Sequence, residues 1–177
     1  MKPLPLLDHK IPLTLGALAL TLALIIVEYL NGGVITHHLL ADDNLPGVSN
    51  WWGLVTVPLA TYVVVTLLQK RQNKTTSHND SNGILYRFFG ALTLGIAMCI
   101  LWAFGLVEIM QYLIVLPVVI ALFRPVYLPE CFLGFVYGML YTFGGILPIL
   151  IGLVLTILCF IAYKGIRGGI LFLVSKI

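Results

Sequence analysis

Six long apolar runs, at residues 11–30, 51–68, 85–104, 107–123, 126–144 and 146–163, alternate with short polar breaks. The first is about 20 residues, which as a helix crosses a hydrocarbon core of about 30 Å. A cleaved signal peptide would have a shorter apolar region followed by a small-x-small site. This run ends instead in Glu28-Tyr29-Leu30-Asn31, so it is expected to remain as a first span. The breaks have local causes. Pro46-Gly47 and Asn82-Gly83 are turn dipeptides. Arg124-Pro125 stops the fourth helix, because proline cannot continue the hydrogen-bond ladder. Gly144-Gly145 followed by Pro148 fits a helix end and the first turn of the next helix.

Composition agrees with the pattern. The chain is 60% hydrophobic and 10% charged, against about 25% charged in soluble domains, and its mean hydropathy is +1.04. Its 177 residues leave room for one helical bundle and no separate soluble domain. The expected fold is therefore an all-α integral membrane protein, a single polytopic domain over 1–177 with six transmembrane helices. The fifth is the weak one: starting after Pro129 it has about 14 residues, or about 21 Å of rise, and is expected to be short or re-entrant. Cys99, Cys131 and Cys159 all lie in apolar runs, an odd number with no C-x-x-C spacing, and read as small apolar residues.

Charge orients the bundle. With the N-terminus inside, all ten Lys and Arg fall on the cytoplasmic side, together with Asp8, Asp80 and Glu130, while Glu28, Asp42, Asp43 and Glu108 fall outside. That is the positive-inside pattern, and it places both termini in the cytoplasm. Trp51, Trp52 and Trp102 come at the outer boundary, where indole rings anchor at headgroup level. Residues 31–50 then form an external loop and 69–83 a flexible cytoplasmic one. Asn73-Lys-Thr and Asn79-Asp-Ser match the glycosylation pattern but lie on the cytoplasmic loop. Residues 164–177 are expected to form an interfacial helix. The expected location is the plasma membrane, a bacterial inner membrane.

Candidate chemistry concentrates in the external loop, with His37, His38, Asp42 and Asp43 as catalytic or metal-ligating candidates. On a short helix, His38 and Asp42 would share a face at i,i+4, with His37 about 100° away. Imidazole with carboxylate suits zinc or another divalent metal ion, with Glu28 as a third ligand. Against this stands a solvated loop whose polar residues serve only to keep it out of the bilayer. Glu28 and Glu108 lie within a turn or so of the outer helix ends. If they converge they form an acidic floor beneath the histidines. Gln111, three residues from Glu108, and Tyr137 with Tyr141 at i,i+4 complete a candidate ligand-binding set. Gly134 with Gly138, and Ala19 with Ala23, are small-x-x-x-small pairs suited to close helix packing. Ser49 and Asn50 read as a helix N-cap and Glu130 as a first-turn acid favoured by the helix dipole.

No mid-span histidine, G-x-S-x-G, P-loop or H-E-x-x-H is present. The bases rim one side rather than forming a stripe, which argues against nucleic acid as a partner. Six helices with a long first external loop, and the Ala19-x-x-x-Ala23 pair, resemble the substrate-binding subunits of energy-coupling-factor vitamin transporters. The resemblance is architectural and carries over no residue roles. Three functions compete. The leading one is a ligand- or cation-binding transport subunit, favoured by the acidic outer side. The alternative is a membrane-embedded enzyme acting on a lipid or lipid-linked substrate, with His37 or His38 as base or metal ligand. The third is an accessory protein whose loop docks a membrane-protein partner or a second copy. Each has the lipid bilayer as its surroundings.

Overall fold

The computed structural model describes residues 9–38, 47–74 and 80–166. Six helices follow in order: α1 (Lys10–Leu30), α2 (Gly53–Lys74), α3 (Asp80–Ala103), α4 (Val107–Ala121), α5 (Pro129–Phe143) and α6 (Ile146–Ile161). Between α1 and α2 lies a two-stranded antiparallel hairpin, β1 (Thr36–His38) with β2 (Gly47–Ser49), and then one 3-10 turn, Asn50–Trp52. A π-helical turn, Ala162–Ile166, extends α6.

Arg124-Pro125 and Gly144-Gly145 separate helices as expected, whereas Pro46 lies outside the described residues. Residues 69–83 are not one open loop: α2 continues to Lys74 and α3 already begins at Asp80, leaving 75–79 outside the described residues. Asn82-Gly83 thus lies in the first turn of α3, where the Arg87 guanidinium packs over Gly83, its Nη2 3.1 Å from where a Cβ would stand. The last third holds two separate helices, as expected. α5 is 15 residues long and runs from Glu130, beside Arg71 and Arg87, to the turn at Gly144 beside Asn50. Of the 164–177 tail, 167–177 lie outside the described residues.

Successive helices alternate in direction. At one end, Glu28 of α1, Asn50 before α2 and Gly144 after α5 meet, and Trp102 of α3 packs edge-on against Phe143 of α5 at 5.3 Å. At the other, Arg71 of α2, Arg87 of α3 and Glu130 of α5 meet, and Tyr127 packs against Phe160 of α6. These are called the Asn50 end and the Glu130 end.

α5 is the hub. Nine of its 15 residues are buried, so it is enclosed by other helices along most of its length. Its mate is α3, which it meets backbone to backbone. A Cβ on Gly95 would stand 2.8 Å from the Phe135 carbonyl oxygen, and one on Gly134 or Gly138 would collide with the α3 backbone at Phe88 or Leu92. Small residues at these points are what lets two helices approach so closely. Met98, Phe135 and Met139 fill the core beside this seam. The other pair, Ala19 and Ala23, faces outward; α1 packs with Ala17, Thr21 and Ile25, four residues apart, instead.

The outer surface is apolar. Residues 10–30, 50–73, 82–103 and 146–165 form helices long and apolar enough to cross a membrane, and α4 is a shorter apolar helix. Most of each long stretch is not buried inside the protein. A helix that is apolar on its unburied faces needs an apolar surrounding.

Candidate functional site

At the Glu130 end, the Glu130 carboxylate is 1% exposed and carries two guanidiniums. Arg87 Nη1 donates to Oε1 at 2.7 Å. Arg71 Nη1 reaches both oxygens, at 3.2 and 3.4 Å. The local reason is plain: Pro129 at the first helical position starts α5, and the next residue falls in its first turn, inside the angle between α2 and α3. The dipole reading of Glu130 thus describes only part of its setting. A buried carboxylate needs paired charge and hydrogen bonds, and two arginines from two other helices supply both.

Beside this cluster opens a cavity of about 550 Å³ between α3, α4, α5 and α6, a volume typical of small-molecule sites. Its walls are mostly aliphatic and aromatic, among them Leu94, Ala97, Leu116, Phe132, Phe135 and Leu155. Two small residues keep it open. Gly90 faces empty space, with nothing within 4 Å of a Cβ placed there, and Gly152 leaves room for the Phe132 ring. Pro117 of α4 lines it as well. Arg87 and Arg124 border it at the Glu130 end.

The Asn50 end is built of neutral groups around one acid. Asn50, a buried side chain, donates from Nδ2 to Glu28 Oε1 at 2.7 Å. The Ile35 N–H donates to Oε2 at 3.3 Å. The Asn50 amide also packs directly on Gly144, whose φ of +68° and lack of a Cβ make the contact feasible. Gly145 lies against the α2 backbone, its would-be Cβ 2.6 Å from Gly53 Cα. Ser49 caps the 3-10 turn, accepting from the Trp51 N–H at 3.5 Å. The two capping candidates have therefore divided their work: Ser49 caps, while Asn50 binds Glu28.

The remaining candidates are dispersed. His37 and His38 lie on β1, paired through the backbone with Val48 and Gly47. The strand covers Thr36–His38, and Asp42 and Asp43 lie outside the described residues. Among the described residues no group of three His, Cys, Asp or Glu could hold a metal ion. Glu108 and Gln111 are exposed on α4. Tyr137 is half-buried and shares a 2.9 Å hydrogen bond with Thr61 of α2, whereas Tyr141 is 73% exposed. Neither tyrosine lines the cavity.

Sequence reasoning placed Arg71, Arg87 and Glu130 on one side of the bundle but not in contact. The available signal was a single acid at the first turn of the least hydrophilic third of the chain, among bases. Comparison of the chain with protein-family models, with curated proteins and with solved structures finds no match.

Proposed function

We propose that the chain is a multi-pass membrane protein that binds an apolar ligand inside its helical bundle, as a binding or transport subunit. The observation that carries this is the half-open cavity of about 550 Å³ lined by α3, α4, α5 and α6. Four helices long and apolar enough to span, with apolar outer faces, support membrane residence. Lys10, Lys70, Arg71, Arg87, Arg124 and Lys164 belong to the Glu130 end, whereas Glu28, Glu108 and the three tryptophans belong to the Asn50 end. By the positive-inside rule this asymmetry supports a cytoplasmic Glu130 end. The outward His/carboxylate reading draws less support, because Glu28 is engaged in joining Asn50 and Ile35.

Filling the cavity tests this reading. Gly90→Leu places a side chain into open space and replaces glycine with a better helix former. The wild-type protein, purified in mild detergent, is expected to retain an apolar molecule detectable by native mass spectrometry. The variant should lose it with its melting temperature unchanged or raised. Equal retention by the two proteins would overturn the proposal.

A further inference from the structure

Most of the polar groups in the cavity wall are already committed. Thr93 Oγ1 donates to the Phe89 carbonyl at 2.9 Å, and Thr156 Oγ1 to the Gly152 carbonyl at 2.7 Å. Both hydroxyl protons are thus used within their own helices. Among the described residues no Asp or Glu lines the cavity, and Glu130 is turned toward Arg71 and Arg87. What the wall offers a ligand, besides the Tyr86 hydroxyl, is positive charge at one end. Arg124 is exposed and has no ion-pair partner among the described residues. Its place is set by Pro125 and by a tight turn in which the Val126 N–H donates to the Arg124 carbonyl at 2.9 Å. Arg87 lines the same end from α3 and is ion-paired with Glu130 at 2.7 Å.

The rest of the cavity is apolar. From Arg87 to Ala97 the α3 wall rises about 15 Å past Gly90, Ala91 and Leu94. A space charged at one end and apolar for the rest of its length matches a molecule of the same build. Cations are disfavoured by the absence of a lining carboxylate. A wholly neutral apolar molecule would leave the guanidinium at the rim without a counter-charge.

We infer that the ligand is an anionic amphiphile: an acyl or comparable chain lies between α3, α4, α5 and α6, and a carboxylate or phosphate head meets Arg124 at the Glu130 end. This rests on the reading that the cavity binds a ligand, and the experiment separates the two. The purified full chain in phosphatidylcholine nanodiscs is photolabelled with a diazirine-bearing fatty acid and, separately, with the matching fatty alcohol. Labelled peptides are mapped by mass spectrometry.

The acid should label the cavity walls at least about 10-fold more efficiently than the alcohol, the order expected of a charge-assisted hydrogen bond. Arg124→Gln should bring the two probes within about 2-fold of each other, and Arg124→Lys should keep much of the preference. Dodecyl phosphate should compete with the acid, and inorganic phosphate should not. Equal labelling of the cavity by acid and alcohol in the wild type would overturn the anionic head and leave the cavity reading standing. Competition by inorganic phosphate as strong as by dodecyl phosphate would replace the amphiphile with a free-anion site. Absence of cavity labelling by both probes, with Gly90→Leu indistinguishable from wild type, would bring down the cavity reading itself.

Discussion

Glu28 and Glu130 both lie within a turn of a helix end, yet the bundle treats them differently. Glu130 is enclosed and answered by full positive charge, Arg87 at 2.7 Å and Arg71 at 3.2 Å. Glu28 is only half-enclosed and is answered by an amide and a backbone N–H. The carboxylate with the greater desolvation has the stronger partners, as the cost of burying charge requires. The difference also separates two jobs. The neutral set at the Asn50 end ties α1 to the α5–α6 turn through Asn50 and Gly144. The charged set at the Glu130 end binds α2, α3 and α5 and sits beside a cavity.

Removing the charge at the enclosed end should have the largest effect. Glu130→Ala leaves two guanidiniums facing each other without their shared counter-ion. It is expected to cost about 3–5 kcal/mol, read as a large fall in melting temperature in detergent or as loss of recoverable protein. Stability within about 0.5 kcal/mol of wild type would show that solvent, not Glu130, neutralises the arginines.

Adding charge at the other end should cost less and depend on pH. Asn50→Asp sets a second carboxylate against Glu28 in place of the 2.7 Å hydrogen bond. About 1–3 kcal/mol should be lost at neutral pH. Because the proximity of like charges favours the protonated form in the folded state, the loss should shrink as pH falls and one carboxyl takes up a proton. A pH-independent loss would mean that Asn50 matters through its packing on Gly144 rather than through Glu28.

The smallest of these effects belongs to the neutral link midway between the ends. Tyr137→Phe removes the 2.9 Å hydrogen bond to Thr61 while keeping the ring, and should cost about 0.5–1.5 kcal/mol. Thr61 can still donate to the Val57 carbonyl at 2.8 Å. A cost as large as that of Glu130→Ala would erase the distinction between charged and neutral cross-links.

The helices were legible because what defines them is local. Apolar runs, Arg124-Pro125 and Gly144-Gly145 mark their own boundaries, and α4, α5 and α6 begin or end within about three residues of the expected places. Segment 80–83 was misplaced because Asn82-Gly83, a common turn dipeptide, here lies in the first turn of α3. The packing role of Gly134 and Gly138 was readable from their spacing. The partner helix was not, since Ala19-x-x-x-Ala23 has the same spacing and faces outward. The cavity was illegible for the same reason: its lining comes from four helices, and each contributes ordinary apolar residues. Arg71, Arg87 and Glu130 are 59 and 43 positions apart, and nothing in a linear pattern pairs them.

The Glu130 cluster also bears on how the chain is made. Both arginines precede the acid in sequence, so on a ribosome α2 and α3 emerge before α5. A short helix with a carboxylate in its first turn cannot bury that charge until partners are present. Here its counter-charges, and the Gly95 groove on α3, are already synthesised when it arrives. The order of the genetic message thus matches the order in which the acid can be neutralised, and a permuted chain that produced α5 first would present Glu130 before either arginine exists.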